Sequence, residues 1–171
     1  MSFKVTWKLH IFCFTITYLV CLLVQEYILN LFIWLLEQEW IIAIAGNIYV
    51  DLALFIVFLF IPITIVHEAL HGVAYTMFGG KVKYGFKGVC AYTQEVSGVV
   101  LHRSKFLIVL LLPLTVISLI SICVGGSIGA AIFLFNTLGS VGDLIMAFYL
   151  CKSNENSYIE DKSYGFDVIT R

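Results

Sequence analysis

His67-Glu68-Ala69-Leu70-His71 sets two imidazoles four residues apart, with a carboxylate directly after the first. On a helix, residues at that spacing differ by about 40° in direction, so His67 and His71 project from one face and can share one Zn²⁺. Glu68 lies about 100° round the helix, where its carboxylate can reach a water on the metal without being an obligatory ligand. This is the division of labour of zinc-dependent peptide hydrolysis, with His67 and His71 as metal ligands and Glu68 as general base. The alternative is a pair of membrane histidines bonded to backbone carbonyls, beside a glutamate kept neutral by burial.

The stretch that carries these residues is almost wholly apolar. Across all 171 residues, 61% are hydrophobic and 12% charged, with a mean hydropathy of +1.00. Soluble domains are about 45–50% apolar and about 25% charged, so the composition is that of a membrane protein with lipid as its surroundings. A net charge of −1 gives no basic field for nucleic acid, and none is expected as a partner. Cys13, Cys21, Cys90, Cys123 and Cys151 form no C-x-x-C pair, and they read as small buried hydrophobes.

Hydropathy and turn signals divide the chain into about four transmembrane helices, at about 9–36, 48–78, 104–123 and 127–151. Glu37-Gln38-Glu39-Trp40 is a polar turn at one membrane surface, and Gly46-Asn47 interrupts the apolar run beyond it. Asp51 suits a helix N-terminus, Pro62 can kink the second span one turn before His67, and Gly79-Gly80 ends it. Apolar and polar residues alternate in Lys81–Lys87, a strand signature, and a second strand around Val89–Thr93 can complete a hairpin across Lys87-Gly88. Tyr164, Phe166 and Val168 alternate in the same way within the tail, which is expected to pair with the Val82–Phe86 strand near Lys83 and Asp167.

The fold class expected is therefore an all-α integral membrane protein of about four spans. It forms a single membrane domain, 1–171, with a small β-hairpin or sheet built by the 81–98 loop and the C-terminal tail. Lys81, Lys83, Lys87, Arg103 and Lys105 put the loop, 79–103, in the cytoplasm of a cell-membrane protein, by the excess of basic residues on that side. Four spans then leave both termini there, including the tail 152–171.

A catalytic zinc needs a third protein ligand and an open position. Asp143 lies about as far from the cytoplasmic end of the fourth span as His71 does from that of the second, which makes it the expected third ligand. Asn136, seven residues earlier and close to two turns away, projects from the same face and can donate to substrate or to a developing oxyanion. The alternative for Asp143 is a lone buried acid paired elsewhere. His10 and His102 lie near the membrane interfaces and are expected to stay off the metal.

His-Glu-Ala-Leu-His, Gly-Gly-Lys-Val-Lys-Tyr-Gly-Phe-Lys, Leu-Leu-Pro, Asn-Thr-Leu-Gly-Ser-Val-Gly-Asp and Glu-Asp-Lys-Ser-Tyr-Gly-Phe-Asp together resemble a bacterial family of zincin peptidases of unknown function, over about residues 55–168. More distantly the chain is similar to site-2 intramembrane metalloproteases. That resemblance implies His67, His71 and Asp143 as zinc ligands, Glu68 as the base, and a membrane-associated or transmembrane polypeptide as substrate. The site-2 pattern around the aspartate is usually Asn-Pro-Asp-Gly, whereas here Asn136 and Asp143 are seven apart. Two other classes of function stay open: a binding or scaffold protein that keeps a metal site, and a metal-dependent lipid-modifying enzyme.

Overall fold

The computed structural model describes residues 2–37, 45–87 and 90–169. The polar turn expected at 37–40 lies outside these residues beyond Glu37, as do the hairpin turn at 88–89 and the last two residues of the tail. Six helices carry most of the described chain: α1 (Trp7–Leu23), α2 (Gln25–Leu36), α3 (Ile48–Met77), α4 (Arg103–Val124), α5 (Gly126–Gly139) and α6 (Val141–Cys151). By length and composition α3 and α4 can each cross a membrane, and the pairs α1–α2 and α5–α6 meet the same test only when taken together.

Each of those pairs corrects an expected continuous span. The span at 9–36 is two helices bent by 75° at Val24, where Gln25 and Glu26 interrupt the apolar run and Glu26 occupies the favourable first turn of α2. The span at 127–151 is bent by 52° at Ser140. There both the backbone N–H and the hydroxyl of Ser140 donate to the Asn136 carbonyl, at 2.9 and 2.8 Å, and a hydroxyl competing for that carbonyl bends a helix.

α3 is closed at both ends by its own sequence. The Asn47 side chain accepts from the N–H groups of Tyr49 and Val50 at 3.0 and 3.3 Å. At the other end Gly79 has φ +86°, and the bonds Gly80 N–H to Tyr75 O and Gly79 N–H to Thr76 O, at 2.9 and 3.0 Å, form a Schellman turn. That turn sends the chain back alongside α3 as a two-stranded hairpin of β2 (Val82–Lys87) and β3 (Cys90–Glu95), in which Tyr84 faces Thr93.

A second, four-stranded antiparallel sheet joins distant parts of the chain in the order β1-β6-β5-β4. Its strands are β1 (Ser2–Lys4), β4 (Val100–His102), β5 (Tyr158–Lys162) and β6 (Gly165–Ile169). The tail is thus two strands, and its partners correct the expected register. Asp167 lies opposite Ser2 and Glu160, while Lys83 lies opposite Gln94. The physical reason is local: β2 pairs with β3, its neighbour in sequence, so the tail hairpin pairs instead with β4 and the N-terminal strand. Ile159, Phe166 and Val168 from this sheet pack with Leu101, Phe106, Val109, Leu110, Ala147 and Leu150, which makes it a cap on one end of the helices.

One carboxylate ties this cap to the helices and to the hairpin. Asp161 Oδ2 accepts from the Tyr75 hydroxyl of α3 at 3.1 Å and from the Glu95 N–H of β3 at 2.9 Å. Burial pushes the Asp161 carboxyl up to about 6, against the opposing pull of those two donors. The unfolded carboxyl titrates near 3.9, so the folded protein loses stability as pH rises from about 4 to about 6 and carries a constant deficit above that. Asp161→Asn keeps an acceptor for both donors and removes the charge. Its melting temperature in detergent should match the wild type near pH 4 and exceed it by a few degrees from pH 6.5 upward, whereas a gap independent of pH would contradict this.

Candidate metal centre

Four helices contribute to the group around the His-Glu-x-x-His motif. His67 and His71 come from the C-terminal part of α3, are both buried, and turn their rings toward each other, with centroids 4.9 Å apart. Asp143 sits in the first turn of α6, where the helix N-terminus favours a carboxylate. His67 Nε2 lies 3.1 Å and His71 Nε2 3.5 Å from Asp143 Oδ2, and the two Nε2 atoms are 3.2 Å apart.

The other nitrogen of each ring settles what those three atoms can be. His71 Nδ1 is 2.8 Å from the Val109 carbonyl of α4, which only accepts, so Nδ1 carries the proton. Asn136, buried in α5, donates from Nδ2 to the Leu114 carbonyl at 3.3 Å. Its Oδ1 therefore faces His67 Nδ1, at 3.2 Å, and this nitrogen is protonated too. In the neutral rings both Nε2 atoms are then bare acceptors, turned toward each other and toward a carboxylate oxygen.

A single proton can bridge one pair of these three atoms; a cation can bridge all three. Zinc bound tetrahedrally at about 2.0–2.1 Å holds its ligand atoms about 3.3–3.4 Å apart, and the three separations here fall around that value. The residues present fit zinc. The N–H groups turned outward onto a backbone carbonyl and an amide oxygen are the contacts that orient metal-binding histidines elsewhere.

Glu68 follows His67 on α3, and the hairpin holds its carboxylate. The Thr93 hydroxyl of β3 lies 2.7 Å from Glu68 Oε2 and 2.9 Å from the Glu68 carbonyl, and among the described residues nothing bonds Oε1. One helical turn on, the Tyr84 hydroxyl rests on Gly72, where a Cβ would come within 1.9 Å of it. The facing pair Tyr84 and Thr93 thus lays the hairpin along the Glu68–Gly72 face of α3.

The structure brings together His67, His71 and Asp143, and sets Asn136 behind His67. His102 stands apart, accepting from the Ser104 N–H at 3.3 Å and packing edge-on to Tyr158. Thr93 and the Val109 carbonyl were missed in the sequence. A threonine in a short alternating strand carries no distinguishing mark, and a backbone acceptor has no residue type.

Fold and site define a helical protein in which two imidazoles of a His-Glu-x-x-His helix and one carboxylate of α6 form a group that could hold a metal. A family profile described as "Putative zincin peptidase" matches residues 60–158, more than half of the chain, and the chain belongs to that family. A search of curated proteins and a search of solved structures found no match.

Purified protein should hold about one zinc per chain by elemental analysis. His67→Ala, His71→Ala and Asp143→Ala should each reduce it to about a tenth or less, and His102→Ala should leave it unchanged. Full occupancy in Asp143→Ala would remove α6 from the site.

Proposed function

We propose that this protein is a membrane-embedded zinc peptidase of the site-2 kind, which cleaves a membrane-associated or transmembrane polypeptide. The observation that carries the reading is the set of three mutually facing acceptors with a glutamate beside them. A structural zinc is normally closed by four protein ligands, and among the described residues only three form the group, which leaves a position for water or substrate. A scaffold has no use for a held glutamate at that position.

His67 Nε2, His71 Nε2 and Asp143 Oδ2 would hold the metal. When bound, zinc supplies a Lewis acid that activates water and polarises the scissile carbonyl. Glu68 does the proton work. With Oε2 steadied by Thr93, Oε1 accepts the proton of the attacking water and passes it to the leaving amine as the peptide bond breaks. Asn136 serves in this reading as a positioning residue for His67 rather than an oxyanion donor, since its Oδ1 faces the imidazole and its Nδ2 bonds Leu114.

The membrane setting rests on three observations. Large apolar side chains stand outward on the helices, among them Leu23, Phe58, Leu119 and Ile122. His71 and His67 are six and ten residues before the end of α3, or about 9 and 15 Å along it. The third is topological. β1, β4 and β5 share one sheet, so a chain set in a membrane would return to the same side between each and the next. With α3 and α4 as single crossings, each bent pair counts as one further span. Basic residues of the 79–105 segment and Lys4 and Lys8 favour the cytoplasm for that side, and so for both termini.

Glu68→Gln separates the peptidase from a scaffold. The amide cannot accept the proton, so this variant should keep its zinc and its fold while hydrolysis falls by about 10²-fold or more. Quantitative comparison of membrane and released peptides between wild type and Glu68→Gln cells should show precursors that accumulate only in the variant. Identical peptide profiles, with full rescue of a deletion phenotype by Glu68→Gln, would contradict peptidase function.

A further inference from the structure

In an α-helix the carbonyl of each residue accepts from the N–H four positions on. For Val109 that position is Pro113, inside α4, and proline has no N–H. Val109 is buried, and a buried carbonyl without a partner is costly. The vacancy is filled by His71 Nδ1 at 2.8 Å. Pro113 is itself fully buried in the helix that backs the metal group. The carbonyl just after the proline, that of Leu114, takes the Asn136 amide whose other end holds His67. Both imidazoles are therefore steadied from one short segment of α4.

We infer that Pro113 is a positioning residue for the metal centre. By withholding an N–H it keeps the Val109 carbonyl open for His71, which fixes the proton on Nδ1 and leaves the Nε2 lone pair facing His67 and Asp143. An amide at position 113 would compete for the same carbonyl and tilt it along the helix axis, weakening the contact that sets both the tautomer and the ring orientation of His71. Pro62 of α3 is the contrasting case: the carbonyl it frees, that of Phe58, takes no side chain among the described residues. This inference rests on the metal-site part of the functional reading and not on peptide hydrolysis.

Zinc affinity, measured on the full-length protein in detergent by competition with a chelator, tests it without a substrate. Pro113→Ala should bind zinc about tenfold or more weakly, as contacts behind a metal ligand typically contribute. Its metal-free ¹⁵N-histidine spectrum should show His71 partly in the Nε2–H form, against Nδ1–H alone in the wild type. Incorporating the α-hydroxy-acid analogue of alanine at position 113 gives an ester with no N–H. That protein should recover wild-type affinity and tautomer, and Pro62→Ala should retain both. Equal affinity and tautomer in wild type and Pro113→Ala would overturn the inference. So would an ester protein that folds but binds as weakly as Pro113→Ala, because packing and not the N–H would then be responsible. If Pro113→Ala does not fold, the ester protein decides alone, by keeping or losing affinity. A wild type that binds no zinc would overturn the metal reading, and this inference with it.

Discussion

Two imidazole nitrogens and one carboxylate oxygen, all acceptors, face one another within 3.5 Å in a buried site. Each acceptor left unpaired there would cost on the order of 1–3 kcal/mol, and more for the charged one. A cation shared by all three would give each acceptor a partner. What enforces the arrangement lies behind the ligands, in the Val109 carbonyl and the Asn136 amide, which take the N–H of each ring and turn the bare nitrogens inward.

Much of the fold can be read as support for that geometry. The break at Ser140 separates Asn136, in the last turn of α5, from Asp143, in the first turn of α6, and brings both to His67 from either side of a 52° bend. The Schellman turn after α3 returns the hairpin along the helix, so that Thr93 meets Glu68 and Tyr84 meets Gly72. Beyond the hairpin, Asp161 joins the four-stranded cap to Tyr75, one turn past His71. The cap holds the ends of α3, α4 and α6 in register through Phe106, Leu150, Ile159 and Phe166.

The clustering of His67, His71 and Asp143 was legible because ionisable residues in apolar runs are few and their types and spacing restrict what they can do. The residues of α3 and α4 were legible as long apolar helices for the same reason. Asn136 and Asp143 reach one centre, but through a broken helix and not along the face of a continuous one; Ser140 looks like any serine in sequence. Val24 marks the 75° bend with no glycine or proline to announce it. The tail could be read as strand from its alternation, yet its partners could not, since β1 and β4 are three residues each and too short to show a period. Pro113 was visible as an interruption of an apolar span. Its consequence, a free carbonyl opposite His71, needed three-dimensional neighbours to become apparent.

On the proposed reading two imidazoles and one carboxylate would hold a single zinc, with a fourth position open. Zinc K-edge X-ray absorption on the purified protein addresses this most directly. The expected spectrum has a single shell of about four nitrogen and oxygen atoms at about 2.0–2.1 Å, with outer-shell scattering from two imidazole rings. Sulfur in the first shell, or scattering from fewer than two imidazoles, would contradict the assignment of His67, His71 and Asp143 as the metal-binding group.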